Sequence, residues 1–320
     1  MKRLVQTIAI VLFCNTLLYG QQDPQFSQYM LNKLYYNPAY AGVDPDWMEV
    51  AVIHRTQWLG YQPTFDDGGS LNTQVISLNM PFTKYNFGIG LHLANDKQGN
   101  NTTTEGQLSL AYHIKIKKDK VLSFGLRTGL YNLSIDFDKY RFVDPDDRYN
   151  IGGKQSEIVN DFAAGIYFKS TKYYAGLSVN HLQQSEIKTE LVDKTFELVH
   201  HLTIMGGADF EVSRVLTLSP SAVLKTDFDV FYSFEGSLIA TYDNKYYGGV
   251  SLRETEAAIL LLGVHLMKDN RLRIGYAFDY TLQGREAKSA TSHELLLTYK
   301  MPAFKFFERP IIRTPRFRHE

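Results

Sequence analysis

The chain has 320 residues, 34 basic against 34 acidic side chains, a mean hydropathy of −0.24 and a single cysteine. Balanced charge argues against general attraction to nucleic acid or anionic surfaces, and one cysteine leaves no intrachain disulfide and no multi-thiolate metal site. The 21 Tyr and 20 Phe suit strands and the aromatic girdles of a transmembrane barrel.

Residues 1–20 read as a secretory signal. Lys2 and Arg3 form the basic start, 4–18 is apolar except for Gln6, Thr7, Asn15 and Thr16, and Tyr19-Gly20 supplies a small residue for cleavage before Gln21. The apolar stretch is shorter than the ~20 residues that a spanning helix needs. Cys14 lies inside it, so cleavage leaves a mature chain without thiols. Val11-Leu12-Phe13 lacks the small residues expected ahead of a lipidated cysteine. No later segment holds ~18 consecutive apolar residues, which excludes a helical span.

Next come Gln22-Asp23-Pro24-Gln25-Phe26-Ser27-Gln28-Tyr29-Met30 and Tyr36-Asn37-Pro38-Ala39-Tyr40-Ala41-Gly42. This pair of runs resembles the mature N-terminus of the PorP/SprF family, outer-membrane proteins of the type IX secretion system in Bacteroidota, which reads D-P-x-F-S-Q-Y, a short spacer, then N-P-A-Y-A-G. Asp23, Pro24, Phe26, Ser27, Gln28, Tyr29, Asn37, Pro38, Ala39, Tyr40 and Gly42 fill the matching positions. Segment 21–46 has no apolar period but many aromatics, which argues against disorder. It is expected to pack in the barrel lumen or along the periplasmic rim, with the motif residues serving as a plug, as partner contacts, or as both.

From Trp47 onward the apolar period is two, the strand period. Phe87, Ile89, Leu91 and Leu93 alternate with Gly88, Gly90 and His92; Leu122, Phe124, Leu126 and Leu130 alternate with Ser123, Gly125, Arg127 and Gly129. Leu272, Ile274, Tyr276, Phe278 and Tyr280 alternate with Arg273, Gly275, Ala277 and Asp279. A soluble sandwich would alternate too, but its strands are nearer ~5–6 residues. Fourteen strands are predicted near 48–57, 71–80, 85–94, 104–116, 121–132, 160–169, 172–181, 198–210, 214–225, 229–242, 245–253, 257–267, 271–281 and 291–300. Most match the ~9–11 residues of a tilted membrane-spanning strand. Tight turns near 82–84, 117–120, 170–171, 211–213, 243–244 and 268–270 alternate with longer loops at 59–70, 95–103, 133–159, 182–197 and 282–290; 226–229 and 254–256 are exceptions. Short periplasmic turns and long outer loops are the outer-membrane pattern, and an even strand count puts both termini in the periplasm. The expected fold is all-β: a transmembrane antiparallel up-and-down barrel of about fourteen strands over 47–301, with the N-terminal segment packed in or against it.

The tail 302–320 interleaves Lys305, Arg309, Arg313, Arg316 and Arg318 with Phe304, Phe306, Phe307 and Phe317. It reads as a solvated end or as a periplasmic docking strip, with Lys305, Phe306, Arg309, Arg313, Arg316 and Arg318 as its contacts. The longest loop, 133–159, carries Tyr140, Phe142 and Tyr149 and is the candidate surface for an outer partner.

Catalytic and cofactor chemistry is not legible. There is no phosphate-binding G-x-x-x-x-G-K-[ST], no strand-linked G-x-G-x-x-G and no G-x-S-x-G elbow. His200 and His201 would diverge on a strand and so could not chelate one ion. Ser292 and the adjacent His293 diverge likewise, so Ser292-His293-Glu294 is not a triad, and Asn180 and His181 have the same defect. Asp144-Pro145-Asp146-Asp147 lacks the glycine turn and distal glutamate of a calcium loop. No enzyme, metal or cofactor is expected. The resemblance implies a component of the secretion apparatus that partners its other parts, and a secreted protein or gliding adhesin held through its C-terminal sorting domain. The alternative is a diffusion channel for a small or hydrophobic solute, like the fatty-acid-transporter-like barrels.

Overall fold

A computed structural model describes residues 23–61, 71–117, 119–142, 144, 152–188, 196–228, 232–254, 256–284 and 288–304. The signal-like segment, Tyr149 and the basic tail beyond Phe304 lie outside these residues. No described helix is long and apolar enough to cross a membrane. The wall is a closed antiparallel barrel of fourteen strands. In chain order they are β1 Trp47–Gln57, β2 Leu71–Phe82, β3 Phe87–Gln98, β4 Asn101–Lys117, β5 Lys120–Asp136, β6 Lys154–Lys169 and β7 Tyr173–Asn180. The circuit continues through β8 His201–Ala208, β9 Leu216–Thr226, β10 Tyr232–Tyr242, β11 Tyr246–Arg253, β12 Ala257–Leu266, β13 Leu272–Thr281 and β14 Thr291–Pro302. Pairing β1 with β14, from Trp47 opposite Pro302 to Thr56 opposite His293, closes it.

The alternation in the sequence is the inside–outside alternation of this wall. Leu91, Leu93, Leu108, Leu110 and Leu126 are exposed on the outer surface, while His92, Ser109, Ser123, Arg127 and Asp279 are buried within the barrel. Closure leaves no unpaired edge, which is the condition for strands to stand in hydrocarbon. Turns on the rim where β1 begins are short: Asp243 and Asn244 both take left-handed φ, at 51° and 52°, and so match the twist of the β10–β11 hairpin.

The opposite rim is uneven. A long loop expected at 95–103 is instead a two-residue turn at Gly99-Asn100, because β3 and β4 stay paired to Gln98 opposite Asn101. Polar residues such as Asn101, Thr102 and Thr103 continue the ladder, since a strand beyond the bilayer no longer needs apolar faces. Strands β4 and β5 reach 17 residues each and β6 reaches 16, so this wing outgrows the ~9–11 residues of a membrane crossing. The connection from β5 to β6 shrinks to 137–153 in consequence. Within the connection from β7 to β8, Glu186–Ile187 pairs with Phe196–Glu197. Ile187 and Leu198 pack on Tyr131 of the wing, with Leu133 and Val159 beside them, and fold this loop against the mouth.

Segment 23–46 occupies the lumen. Phe26, Tyr29, Met30, Tyr35, Tyr36, Ala39 and Val43 share one buried apolar cluster with inward wall residues including Ile53, Val75, Tyr167, Leu261 and Leu296. The two ends of the wall lie on one rim, where Ala303 N–H donates to Asp46 C=O. Asp23, however, lies beside His181 and His201, where β7 ends and β8 begins, at the far rim. The even strand count governs the wall ends only; the plug runs back up the lumen, so the first described residue is not at the rim expected for the terminus.

Candidate functional site

Residues 23–46 have no sheet of their own and yet hold one position inside the barrel. Three short helical turns, Tyr29–Leu31, Lys33–Tyr36 and Pro38–Tyr40, satisfy part of the backbone. The last is set by its sequence. Asn37 caps it by accepting from Ala39 N–H at 2.9 Å, and Pro38 occupies the first position, where a missing N–H costs nothing. The rest of the plug's polar groups are satisfied by the wall.

Ser27 and Gln28 sit at the centre of the densest part. Ser27 Oγ donates to Asp279 at 2.7 Å and accepts from Arg55 at 2.9 Å and Arg253 at 3.3 Å. The backbone N–H groups of Ser27 and Gln28 both donate to Glu294, at 2.8 and 3.0 Å. Arg55 pairs with Asp279 at 2.8 Å and Glu294 at 3.3 Å; Arg253 pairs with Glu235 at 2.8 Å. All five ionisable side chains are at most 4% exposed, so each must have its partners. They come from β1, β10, β11, β13 and β14; Ser27 of the plug bridges Arg55 and Arg253, and Arg253 also reaches Asp279 directly at 3.9 Å.

Along the opposite wall, Arg127 of β5 donates to the carbonyls of Leu34 and Tyr35. Tyr35 in turn donates to Glu105 at 3.1 Å. Asn37 donates to the carbonyls of Ile166 and Leu177 at 3.0 and 3.2 Å, reaching two wall strands at once. Tyr29 hydroxyl meets Ser221 Oγ at 3.1 Å, and burial pushes its phenol up to about 12, so it remains a neutral hydrogen-bonding group. Phe26 packs edge-on to Tyr35, and Tyr40 edge-on to Tyr167. Pro24 is half-buried.

Two wall glycines make this approach possible. A Cβ at Gly125 would run into the Pro38-Ala39 backbone, and one at Gly88 into Ala41 and Gly42. Gly42 itself has φ +65°, a left-handed conformation that lets the plug turn out against β2 and β3.

At the far rim Asp23 accepts from both histidines: its Oδ1 is 3.0 Å from His181 Nε2 and its Oδ2 is 2.9 Å from His201 Nδ1. Burial opposes ionisation of Asp23, but the two imidazoles outweigh it and hold the carboxyl well below its usual range. The sequence-based expectation placed Asn180 and His181 on opposite faces of one strand. Instead β7 stops at Asn180, and His181 takes φ +56° and lies buried next to it. His200 likewise precedes β8 and holds the His181 carbonyl through its Nδ1 at 2.9 Å.

All eleven motif residues therefore lie in the plug, most of them fully buried against the wall. Tyr140 and Phe142 lie in the β5–β6 connection, where Tyr140 stands 5.8 Å from Phe137 and 6.4 Å from Phe142. Tyr149 and the tail residues Lys305, Phe306, Arg309, Arg313, Arg316 and Arg318 lie outside the described residues. Ser292 and Glu294 point inward and His293 outward toward Tyr276, so they do not converge. The wall partners Arg55, Arg127, Glu235, Arg253, Asp279 and Glu294 were not singled out from the sequence. Their signal was there: a charge on the inward face of a spanning strand is costly unless it has a lumenal partner.

Below the plug a vestibule of about 340 Å³ opens at the rim of the wall ends, lined by Lys33, Tyr40, Glu49, Tyr174, Arg273 and Lys300 among others. Lys33 lies 3.6 Å from the centre of the Tyr174 ring, a cation–π contact that supports the plug from beneath.

The family model for type IX secretion system membrane protein PorP/SprF matches residues 18–299. Curated proteins give no match. Among solved structures, the fold is similar to the Ralstonia pickettii toluene transporter TbuX, at TM-score 0.53 and 8% identity, covering 85% of this chain and 93% of that one. It is also similar to the deltaS2S3 mutant of the monoaromatic hydrocarbon channel TodX, at TM-score 0.52 and 10% identity, covering 85% of this chain and 94% of that one. At such identities the likeness extends to the barrel fold alone.

Proposed function

This chain belongs to the PorP/SprF family of type IX secretion system membrane proteins, and from that membership we propose a non-enzymatic role: an outer-membrane anchor that assembles components of the apparatus and holds a secreted surface protein through its C-terminal sorting domain. One observation carries the choice of anchor over conduit. The lumen is filled by 23–46, and that filling is tied to at least eight wall strands by the hydrogen bonds and ion pairs described above. A folded cargo would have to break all of them, and no residue pattern here binds an energy source. The anchor reading places the rim of short turns, with the vestibule and the wall ends, in the periplasm, where short turns of such barrels lie. The wing of β4–β6 and Tyr140 and Phe142 then face outward, toward cargo. The chain's signal-like start fits export to that membrane.

Affinity capture tests the proposal. The tagged protein is solubilised from outer membrane in detergent, and what accompanies it is identified by mass spectrometry. Secretion-apparatus components, or one large surface protein lost on removal of its C-terminal domain, are the expected companions. A partnerless barrel that conducts ions in a planar bilayer would overturn the anchor. That outcome would favour a hydrophobic-solute channel, the second reading, whose support is the architecture shared with the toluene transporter.

A further inference from the structure

We propose that Asp23, His181 and His201 form a binding site for one divalent transition-metal ion of the zinc type, which fastens the start of the plug to the wall. The donor atoms of these three side chains all lie within 4.8 Å of one another. His181 Nε2 and His201 Nδ1 each face one oxygen of Asp23, at 3.0 and 2.9 Å. Zinc bonded at about 2.0–2.2 Å to imidazole nitrogen and carboxylate oxygen separates neighbouring donors by about 3.4 Å, so each His–Asp pair needs a shift of a few tenths of an ångström and the donors would close in from separations of at most 4.8 Å. Two imidazoles and one carboxylate select zinc-like metals over magnesium or calcium, which take oxygen.

A second feature marks this as a built site rather than a chance meeting. His181 Nδ1 lies 3.0 Å from Asp161 Oδ1, and Asp161 is itself held by Gln107 at 2.8 Å. A carboxylate on the far nitrogen holds Nδ1–H and fixes the ring so that Nε2, on giving up the proton it now shares with Asp23, presents its lone pair to the ion, the arrangement that orients metal-bound histidines elsewhere. His181 and Asp161 are 3% and 2% exposed, whereas Asp23 and His201 keep 26% and 13%, so the ligand pair on the mouth side is open to an entering ion and to a water as fourth ligand. The three ligands come from the plug, the end of β7 and the start of β8, with 182–200 looping between the histidines. An ion here would join the N-terminal strap to both edges of that loop.

The test uses full-length protein carrying a tag without histidines, purified in detergent and stripped with chelator. Zinc and cobalt(II) are then titrated, with bound metal measured by mass spectrometry and the cobalt complex by its visible spectrum. The expected result is one ion per chain, with nitrogen–oxygen cobalt bands and affinity lower by at least ~10-fold in His201→Ala and in Asp161→Asn, which removes only the orienting carboxylate. Heat-modifiable gel migration checks that each variant remains folded; Asp161→Asn keeps the test alive should His201→Ala lose its fold. Substoichiometric binding by the folded parent, or parent-like affinity in both variants, would overturn the site and leave a hydrogen-bonded carboxylate between two histidines.

Discussion

At the scale of single residues, the plug is held by groups that cannot be left alone in a lumen. Arg55 sits between Asp279 and Glu294 and also donates to Ser27. Truncating it strands two buried carboxylates, and breaking such a pair costs about 3–5 kcal/mol. Arg55→Ala should therefore lower the temperature at which the unheated protein loses its compact, fast-migrating band on an SDS gel. Ser27→Ala removes a hydroxyl bound to three ionised side chains and should cost less, about 1–3 kcal/mol. Equal melting of parent and Arg55→Ala would mean that this cluster does not secure the plug. Individually, these residues were readable as charges out of place: Arg127 and Asp279 interrupt small or apolar inward faces. Their partners were not readable. Ser27 and Asp279 are 252 positions apart, and no local pattern encodes that contact.

At the scale of elements, the fourteen strands were legible because lipid on one side and lumen on the other impose a period of two. Most boundaries agree within a few residues, including Leu71–Phe82 and Tyr246–Arg253. Failures fall where that constraint lapses. Beyond the bilayer both faces are wet, so β3 to β6 continue as polar ladders that the apolar pattern did not mark. The outer band also yields a prediction. Leu126 is 68% exposed on β5, and Leu126→Arg should destabilise the folded barrel by about 2–4 kcal/mol if this position lies near the bilayer midplane. Ser156→Arg, on the exposed start of β6 above the crossing, should stay within about 0.5 kcal/mol. Urea unfolding in lipid vesicles measures both, and equal costs would place β6 wholly within the membrane.

At the scale of the whole molecule, a wall of fourteen strands encloses more space than its own small inward side chains fill, and 23–46 supplies the missing core. Deleting 23–46 should leave an open pore with conductance well above that of the parent in a planar bilayer. Gly125→Val, which intrudes on Pro38 and Ala39 without shortening the chain, should raise conductance in the same direction by a smaller amount. Equal conductance in all three proteins would show that the plug is not the seal. By itself the sequence determined the barrel, its strand number and the family motif, because each is written in local periodicity or in contiguous residues. Tertiary structure alone decided that the motif is turned inward, that Asp23 lies at the far rim, and that His201 shares Asp23 with His181 while its neighbour His200 holds the His181 carbonyl. Those outcomes depend on closure of the barrel, which brings together residues whose spacing along the chain carries no trace of their meeting.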